Sequence, residues 1–534
     1  MRTRRYCRPM AGDHSTEIVF GIVGAVGTDL EMVTTELKVA LNTFNYETHE
    51  VRLSALLAEL DWDVELPSSF SDTHIATHMN AGNRLRRTWG RGDAMALLAL
   101  AAIAEARAER NADADPHTPL DRHAYVLRSL KHPEEIELLR SIYGARFYVV
   151  SAYSPRTQRE NALRERCVRD YGSENEEDWT HPPKELIERD ESESDARDLP
   201  EDEQRMGQNV RDTFHRADFF LDASAAAPLK SDTMRMVEIV FGHPFRTPTL
   251  EEYALFQAQG ASRRSAEPGR QVGAAIVGRD GTVVALGSNE VPRAGGGTYW
   301  EKRGGIDPDD GREFRNNVDT NDQMKREIAE EIVDELVADG WVEETKANAD
   351  PTALLDAIEQ TRLGNLIEFG RAVHAEMDAL LDAARRGASV QDGTLFTTTF
   401  PCHNCTRHII AAGIDRVVYV APYAKSLAKV LHGDAIDVAS QEPRDGAVRF
   451  EPFVGVAPRR YLDLFEAGKR KEHDGRIIGF VPSDAKPRIM DLEPDDLRPR
   501  EERYTQREEL ALELLGEVMQ GTGVALRQAE EEAS

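Results

Sequence analysis

Two short stretches constrain this chain more than any others. Arg371-Ala-Val-His374-Ala-Glu376-Met-Asp-Ala-Leu380 carries His-x-Glu, and Thr399-Phe-Pro401-Cys402-His403-Asn404-Cys405 carries Pro-Cys-x-x-Cys. Two thiolates and one imidazole are zinc ligands that leave a fourth position open. For His374, Cys402 and Cys405 to share an ion, the chain between them must leave the first stretch and return beside it. Cys402 and Cys405 stand one helical turn apart, so both sulfurs face one side. Pro401 suits a helix start, where the helix dipole favours thiolate over thiol. His374 and Glu376, two residues apart, would point roughly 200° from each other on a regular helix. They can serve one metal only at a helix mouth. Ala379, Leu380, Leu381, Ala383 and Ala384 read as that helix. An ion with an open position makes water acidic enough to attack near neutral pH. Glu376 is placed to carry the protons.

Other readings of these residues exist. Cys-x-x-Cys alone is also a redox pair or half of a zinc ribbon. A closed site needs a fourth protein ligand; Cys7 and Cys167 are remote in sequence, which leaves His403 and His408. Against this, His-x-Glu, a strand and Pro-Cys-x-x-Cys occur in the order of the zinc-dependent base deaminases.

The chain of 534 residues needs more than one core, so two or three domains are expected. The net charge of −29 repels nucleic acid at long range and counts against a polynucleotide editor. Four cysteines give no disulfide framework, which fits a reducing cytoplasm. No apolar stretch is long enough for a bilayer, and the basic N-terminus lacks the apolar core of a signal peptide.

In chain order, residues 1–16 read as a tail and 17–165 as a parallel α/β domain. The run Phe20-Gly21-Ile-Val-Gly24-Ala-Val-Gly27-Thr28-Asp29-Leu30 is strand, glycine loop and helix, the setting of a phosphate loop. The match is incomplete. Thr28 stands where the phosphate-binding lysine belongs, and Asp29 where Ser or Thr would meet magnesium. Gly21, Gly24, Gly27 and Thr28 are the candidate nucleotide-binding residues; the alternative is a tight turn that binds nothing. The glycine- and arginine-rich run 82–93 offers further phosphate contacts or a solvated surface. Helix 94–107, strand 123–127, a helix beside Pro133 and strand 146–150 continue the alternation.

Residues 166–245 read as an acidic connector with an aromatic docking part (Phe214, Phe219, Phe220). A second domain is expected over 246–475. Its parts are helix 248–263, a hairpin of strands 272–277 and 282–286, a long insertion 293–368, the zinc helix, strand 394–398, the cysteine helix, strand 416–420, helix 425–431 and strand 448–450. Residues 476–534 form a tail whose helix carries an apolar stripe of Leu510, Leu514, Leu515 and Val518.

Residues 248–453 resemble the deoxycytidylate deaminase family. The resemblance rests on Gln271-Val-Gly-Ala274, Ser288-Asn289-Glu-Val-Pro292, Val373-His-Ala-Glu376 and Phe400-Pro-Cys-x-x-Cys405. It implies an α/β/α domain with a mixed sheet, one Zn2+ per chain on His374, Cys402 and Cys405, and Glu376 as catalytic residue. It also implies that Asn289 contacts the substrate sugar, although a turn residue holding its own backbone reads the same way. The whole chain is similar to bacterial anti-phage deoxycytidylate deaminases, which carry a P-loop-like, nucleotide-kinase-like N-terminal domain. That likeness implies deamination of dCMP or dCTP, depletion of the cytosine deoxynucleotide pool, a homo-oligomer without membrane contact, a nucleotide at the N-terminal domain and an RNA or nucleotide regulator. Arg263, Arg264, Arg270 and Arg293 are the phosphate candidates. The competing classes are a nucleic-acid base deaminase and a nucleotide-sensing P-loop protein with a structural zinc site.

Overall fold

The computed structural model describes residues 17–62, 66, 71–112, 115–171, 181–192, 206–304, 307–422, 426–440, 444–488 and 503–527. The N-terminal tail with Cys7, the acidic run 174–178, residues 193–195 and Lys425 lie outside them. The chain divides into two compact units, Met1–Pro248 with Val454–Ser534, and Thr249–Phe453. Residues 454–475, read from sequence as part of the second domain, therefore belong to the first unit.

The first unit is built on β1 (Ile18–Gly24), β2 (Glu47–Arg52), β3 (His123–Leu130), β4 (Phe147–Tyr153) and β5 (Phe219–Asp222), all parallel, in the order β5–β4–β1–β3–β2. Gly455–Val456 adds an antiparallel edge beside β5. Every residue of β1 is buried, because a central parallel strand is covered on both faces, and its apolar run is unbroken for that reason. The longer helices before Pro248 are α1 (Leu30–Thr43), α2 (Ser71–Trp89), α3 (Ala94–Arg110), α4 (Pro133–Tyr143), α5 (Arg156–Tyr171), α6 (His181–Ser192) and α7 (Ala226–Val240). Ile22, Val33, Leu37, Tyr148 and Val240 pack in one core.

Several readings change here. Gly21 is inside β1, not on the loop; a Cβ there would stand 2.5 Å from Leu130 Cδ1, so the glycine serves packing. The arginine-rich run from Gly82 to Trp89 is the end of α2. The expected docking segment supplies β5 and α7, so it is part of the sheet and core rather than a connector. In the C-terminal helix Tyr504–Thr522, Leu510 is 55% exposed, and the buried face is Tyr504, Glu508, Ala511 and Leu515. A buried ion network selects that face. Arg107 Nη1 donates to Glu508 Oε2 (2.9 Å), Nη2 to Glu17 Oε2 (2.9 Å) and Nε to Glu17 Oε1 (3.1 Å), while Tyr143 donates to Glu508 Oε1 and Tyr504 to Glu17 Oε2. Removing one member of such a buried set costs about 3–5 kcal/mol.

The second unit holds α8 (Leu250–Ser262), β6 (Gly273–Val277), β7 (Val283–Ser288), α9 (Thr320–Ala338), α10 (Pro351–Glu359), α11 (Ala375–Arg385), β8 (Thr394–Thr399), α12 (His403–Ala411), β9 (Arg416–Ala421), β10 (Ile436–Val438) and β11 (Val448–Pro452). The sheet runs β10–β11–β9–β8–β6–β7, antiparallel from β7 to β8 and parallel from β8 to β10. The strand β10 is only three residues long, too short to show a period, and escaped the sequence reading. The helix expected over 425–431 is a short Ala428–His432. Within the insertion, α9 and α10 are joined by Arg326, which donates to Asp356 and Glu359 at 3.1 Å each. No described helix is long and apolar enough to cross a membrane.

Candidate active site

The site is made by two helix mouths. His374 is the N-cap of α11, with extended backbone (φ −67°, ψ 153°), and Glu376 lies in the first turn. This is how residues two apart come to share one place. The segment ahead of His374 is fixed by a bridge in which Glu290 and Val373 exchange backbone hydrogen bonds of 3.2 and 3.1 Å. Gly287 on β7 lets α11 lie against the sheet, since a Cβ there would meet Ala375 O at 2.1 Å and Ala379 N at 2.4 Å. Cys402 is the N-cap of α12, and its sulfur accepts from Cys405 N–H at 3.4 Å.

Cys402 Sγ lies 3.3 Å and Cys405 Sγ 3.4 Å from His374 Nδ1. A tetrahedral zinc with ~2.3 Å Zn–S and ~2.0 Å Zn–N bonds sets its N and S ligands about 3.5 Å apart, so the three atoms fit the ion. Among the described residues these three form the one His, Cys or carboxylate cluster compact enough for a metal. Neither His403 nor His408 joins it, and Cys167 lies in the first unit. Cys402 is held toward thiolate by the hydrogen bond from Cys405, with His374 adding to it. Glu376 is 4% exposed, and burial pushes its carboxyl up toward the protonated form.

A cavity of about 160 Å3 opens beside this cluster, bordered by His374, Glu376, Arg270, Asn289, Ile367 and Phe400. Asn289 Oδ1 accepts from Val272 N–H (2.7 Å) and its Nδ2 donates to Arg270 O (2.6 Å), so the carboxamide fixes the start of β6. One lone pair and one amide hydrogen remain in its inventory. Of the four candidate arginines, Arg270 alone borders this cavity. Arg263 donates to Gln271 (3.0 Å), while Arg264 and Arg293 line a separate space with Asp378 and Asp382. Arg264 lies over the Trp300 ring at 4.0 Å. Ile367 was not singled out from sequence, and Phe400 entered only as part of a matching segment, with no role as a cavity wall. Phe400 precedes the Pro-Cys motif, which was a usable signal; Ile367 comes from the insertion and carried none.

Residues 248–421 match the cytidine and deoxycytidylate deaminase zinc-binding region. His374, Cys402, Cys405 and Glu376 all lie inside the matched region. The deoxycytidylate deaminase of Enterobacteria phage T2 is 41% identical over 54 residues, 10% of this chain and 29% of that protein. A probable deoxycytidylate deaminase of Drosophila melanogaster is 24% identical over 224 residues, 40% of this chain and 85% of the relative. The chain thus spans under a third of the length of the phage relative. Among solved structures, the dCMP deaminase of cyanophage S-TIM5 is similar with a TM-score of 0.21 and 18% identity, covering 39% of this chain and 99% of that one.

Proposed function

We propose that this chain is a hydrolytic deaminase of deoxycytidine nucleotides. The observation that carries the reading is the buried carboxylate of Glu376 beside the open His374, Cys402 and Cys405 cluster, at the end of one small cavity. Zinc held by these three residues supplies Lewis acidity that makes water a nucleophile near neutral pH. Water adds at C4 of the cytosine ring and the C4–N bond breaks, giving a deoxyuridine nucleotide and ammonia. Glu376 takes the proton from the attacking water and passes it to ring N3, then takes the second proton from the new C4 hydroxyl and gives it to the departing amine as the C4–N bond breaks. Its burial suits this task, because a carboxyl raised toward neutrality both accepts and donates.

Ile367 and Phe400 supply apolar walls for a flat base. Asn289 is assigned the sugar, through the amide hydrogen and lone pair its backbone bonds leave over. Arg270 is assigned the phosphate, being the cation that borders the cavity. The proposal extends to a cytoplasmic homo-oligomer that lowers the cytosine deoxynucleotide pool during phage infection, with dCMP, dCTP or both as substrate.

The test is ammonia release from a panel of cytosine, deoxycytidine, dCMP, dCTP, CMP and cytosine-containing oligonucleotides, with metal content measured on the same sample. Turnover of dCMP or dCTP well above the nucleoside supports the reading. Turnover confined to oligonucleotides, or none by zinc-loaded protein, overturns it. Expression in cells challenged by phage, with and without Glu376→Gln, tests the defence role separately.

A further inference from the structure

Open parallel sheets bind ligands outside the carboxyl ends of their strands. In the first unit that edge holds a cavity of about 310 Å3, lined by the turn after β1 and by Arg86, Arg128, Lys131 and Arg166. The turn is tight. Thr28 N–H donates to Ala25 O (3.0 Å), and Gly27 takes φ +86°, as the third residue of a type II turn requires. Asp29 caps α1 by accepting from Met32 N–H (2.9 Å), so a carboxylate already serves the helix start.

Two observations there point to an anion. Thr28 is 8% exposed and lines the cavity, yet its Oγ1 has no hydrogen-bond partner among the described residues. The Val26 N–H donates to a carboxylate oxygen from far along the chain, Asp190 Oδ2, at 2.7 Å. Asp190 sits on α6 with its side chain fully buried. Lys131, just past the end of β3, donates from Nζ to Asp190 Oδ1 and to Gly24 O, both at 2.9 Å. A backbone N–H and an ammonium converging on one anionic group is the arrangement by which proteins hold phosphate oxygens. The turn itself has no lysine; Lys131 brings the cation to it from the neighbouring strand.

We propose that this cavity is a phosphate site whose occupant in the present structure is the chain's own Asp190 carboxylate, and that a phosphate-bearing ligand binds by displacing Asp190 from Val26 and Lys131. With Asp190 in place, an entering phosphate faces three lining carboxylates, Asp29, Glu31 and Asp190. Withdrawal of Asp190 removes one of them and releases the amide, the ammonium and the adjacent space together. The site therefore couples ligand binding to the position of α6.

The experiment uses the full chain and pyrophosphate as probe, with binding followed by calorimetry. Asp190→Asn removes the competing charge, so binding tightens at least about tenfold, the order a charged competitor implies. Adding Lys131→Met to that variant abolishes the gain. Hydrogen exchange on the wild-type chain needs no substitution: pyrophosphate speeds exchange in α6 and slows it at residues 24–30. Binding equal to or weaker than wild type in a folded Asp190→Asn chain overturns the proposal, as does wild-type exchange that pyrophosphate leaves unchanged in both segments. Neither readout uses deamination, so the result is independent of the proposed reaction.

Discussion

Gly287 faces Ala375 with no room for a side chain: a Cβ would stand 2.1 Å from the Ala375 carbonyl oxygen. That approach sets how deep α11 lies, and with it the places of His374 and Glu376. Gly287→Ala is expected to push the helix outward, at a stability cost of about 1–3 kcal/mol. Turnover should fall by roughly 10², because displacement of about an ångström is enough for such a loss. Thermal unfolding and steady-state rates on zinc-loaded protein check both numbers; wild-type turnover would show that the site tolerates the shift.

Glu376→Gln keeps the shape and removes the proton carrier. Zinc content and unfolding temperature should remain those of wild type while turnover falls by about 10²–10⁴. Metal analysis and single-turnover rates decide this, and a loss of metal would mean that Glu376 supports the ligands instead.

Cys402→Ser and Cys405→Ser should each lose metal and activity together, since a serine hydroxyl does not replace thiolate for zinc. Chelation of the wild-type protein should do the same reversibly, and zinc return should restore the rate. Activity that survives with no metal in the sample contradicts the assignment.

Arg270→Ala tests the phosphate contact. Charged hydrogen bonds contribute about 1.5–3 kcal/mol. The expected result is a roughly ten- to hundredfold rise in KM for dCMP with little change in kcat, and no change for deoxycytidine. Equal losses on nucleotide and nucleoside would place Arg270 elsewhere in the mechanism.

His123 makes the first unit sensitive to acid. It is 1% exposed, its Nε2 has no partner among the described residues, and burial lowers its pKa to about 4. Arg110 lowers it further, while Glu17 and Glu47 oppose the shift. With the folded value below the unfolded ~6.5, the unfolded chain takes the proton first. The contribution is complete above pH 6.5 and is lost as pH falls toward 4. Between pH 7 and 5 the loss is roughly 2 kcal/mol. Calorimetric unfolding at the two pH values reads it, and His123→Gln should flatten the part that His123 supplies.

Sequence alone brought out the candidate chemistry proposed for the second unit. The spacings His-x-Glu and Cys-x-x-Cys are local, and each is meaningful only at a helix mouth, so the candidate cluster of His374, Cys402 and Cys405 and the two helix starts were legible. The apolar runs of β1, β3 and β4 were equally plain, because strands buried on both faces show no polar alternation. What the sequence could not hold was any relation between distant residues. Whether Arg270 rather than Arg264 borders the cavity depends on where β6 begins, which the Asn289 carboxamide fixes through Val272 and Arg270. The glycines after β1 suggested a phosphate loop, but Gly21 proved to be packing space beside Leu130, and the cation arrived from Lys131. Phe219 to Asp222 looked like part of a connector because four residues are too few to show a period; pairing with β4 made them a strand. The C-terminal helix turned its Glu508 inward, against its own hydrophobic pattern, because Arg107 offered a buried partner. Each of these was decided by long-range pairing, in which the free energy of a side chain depends on a neighbour that only the folded chain supplies.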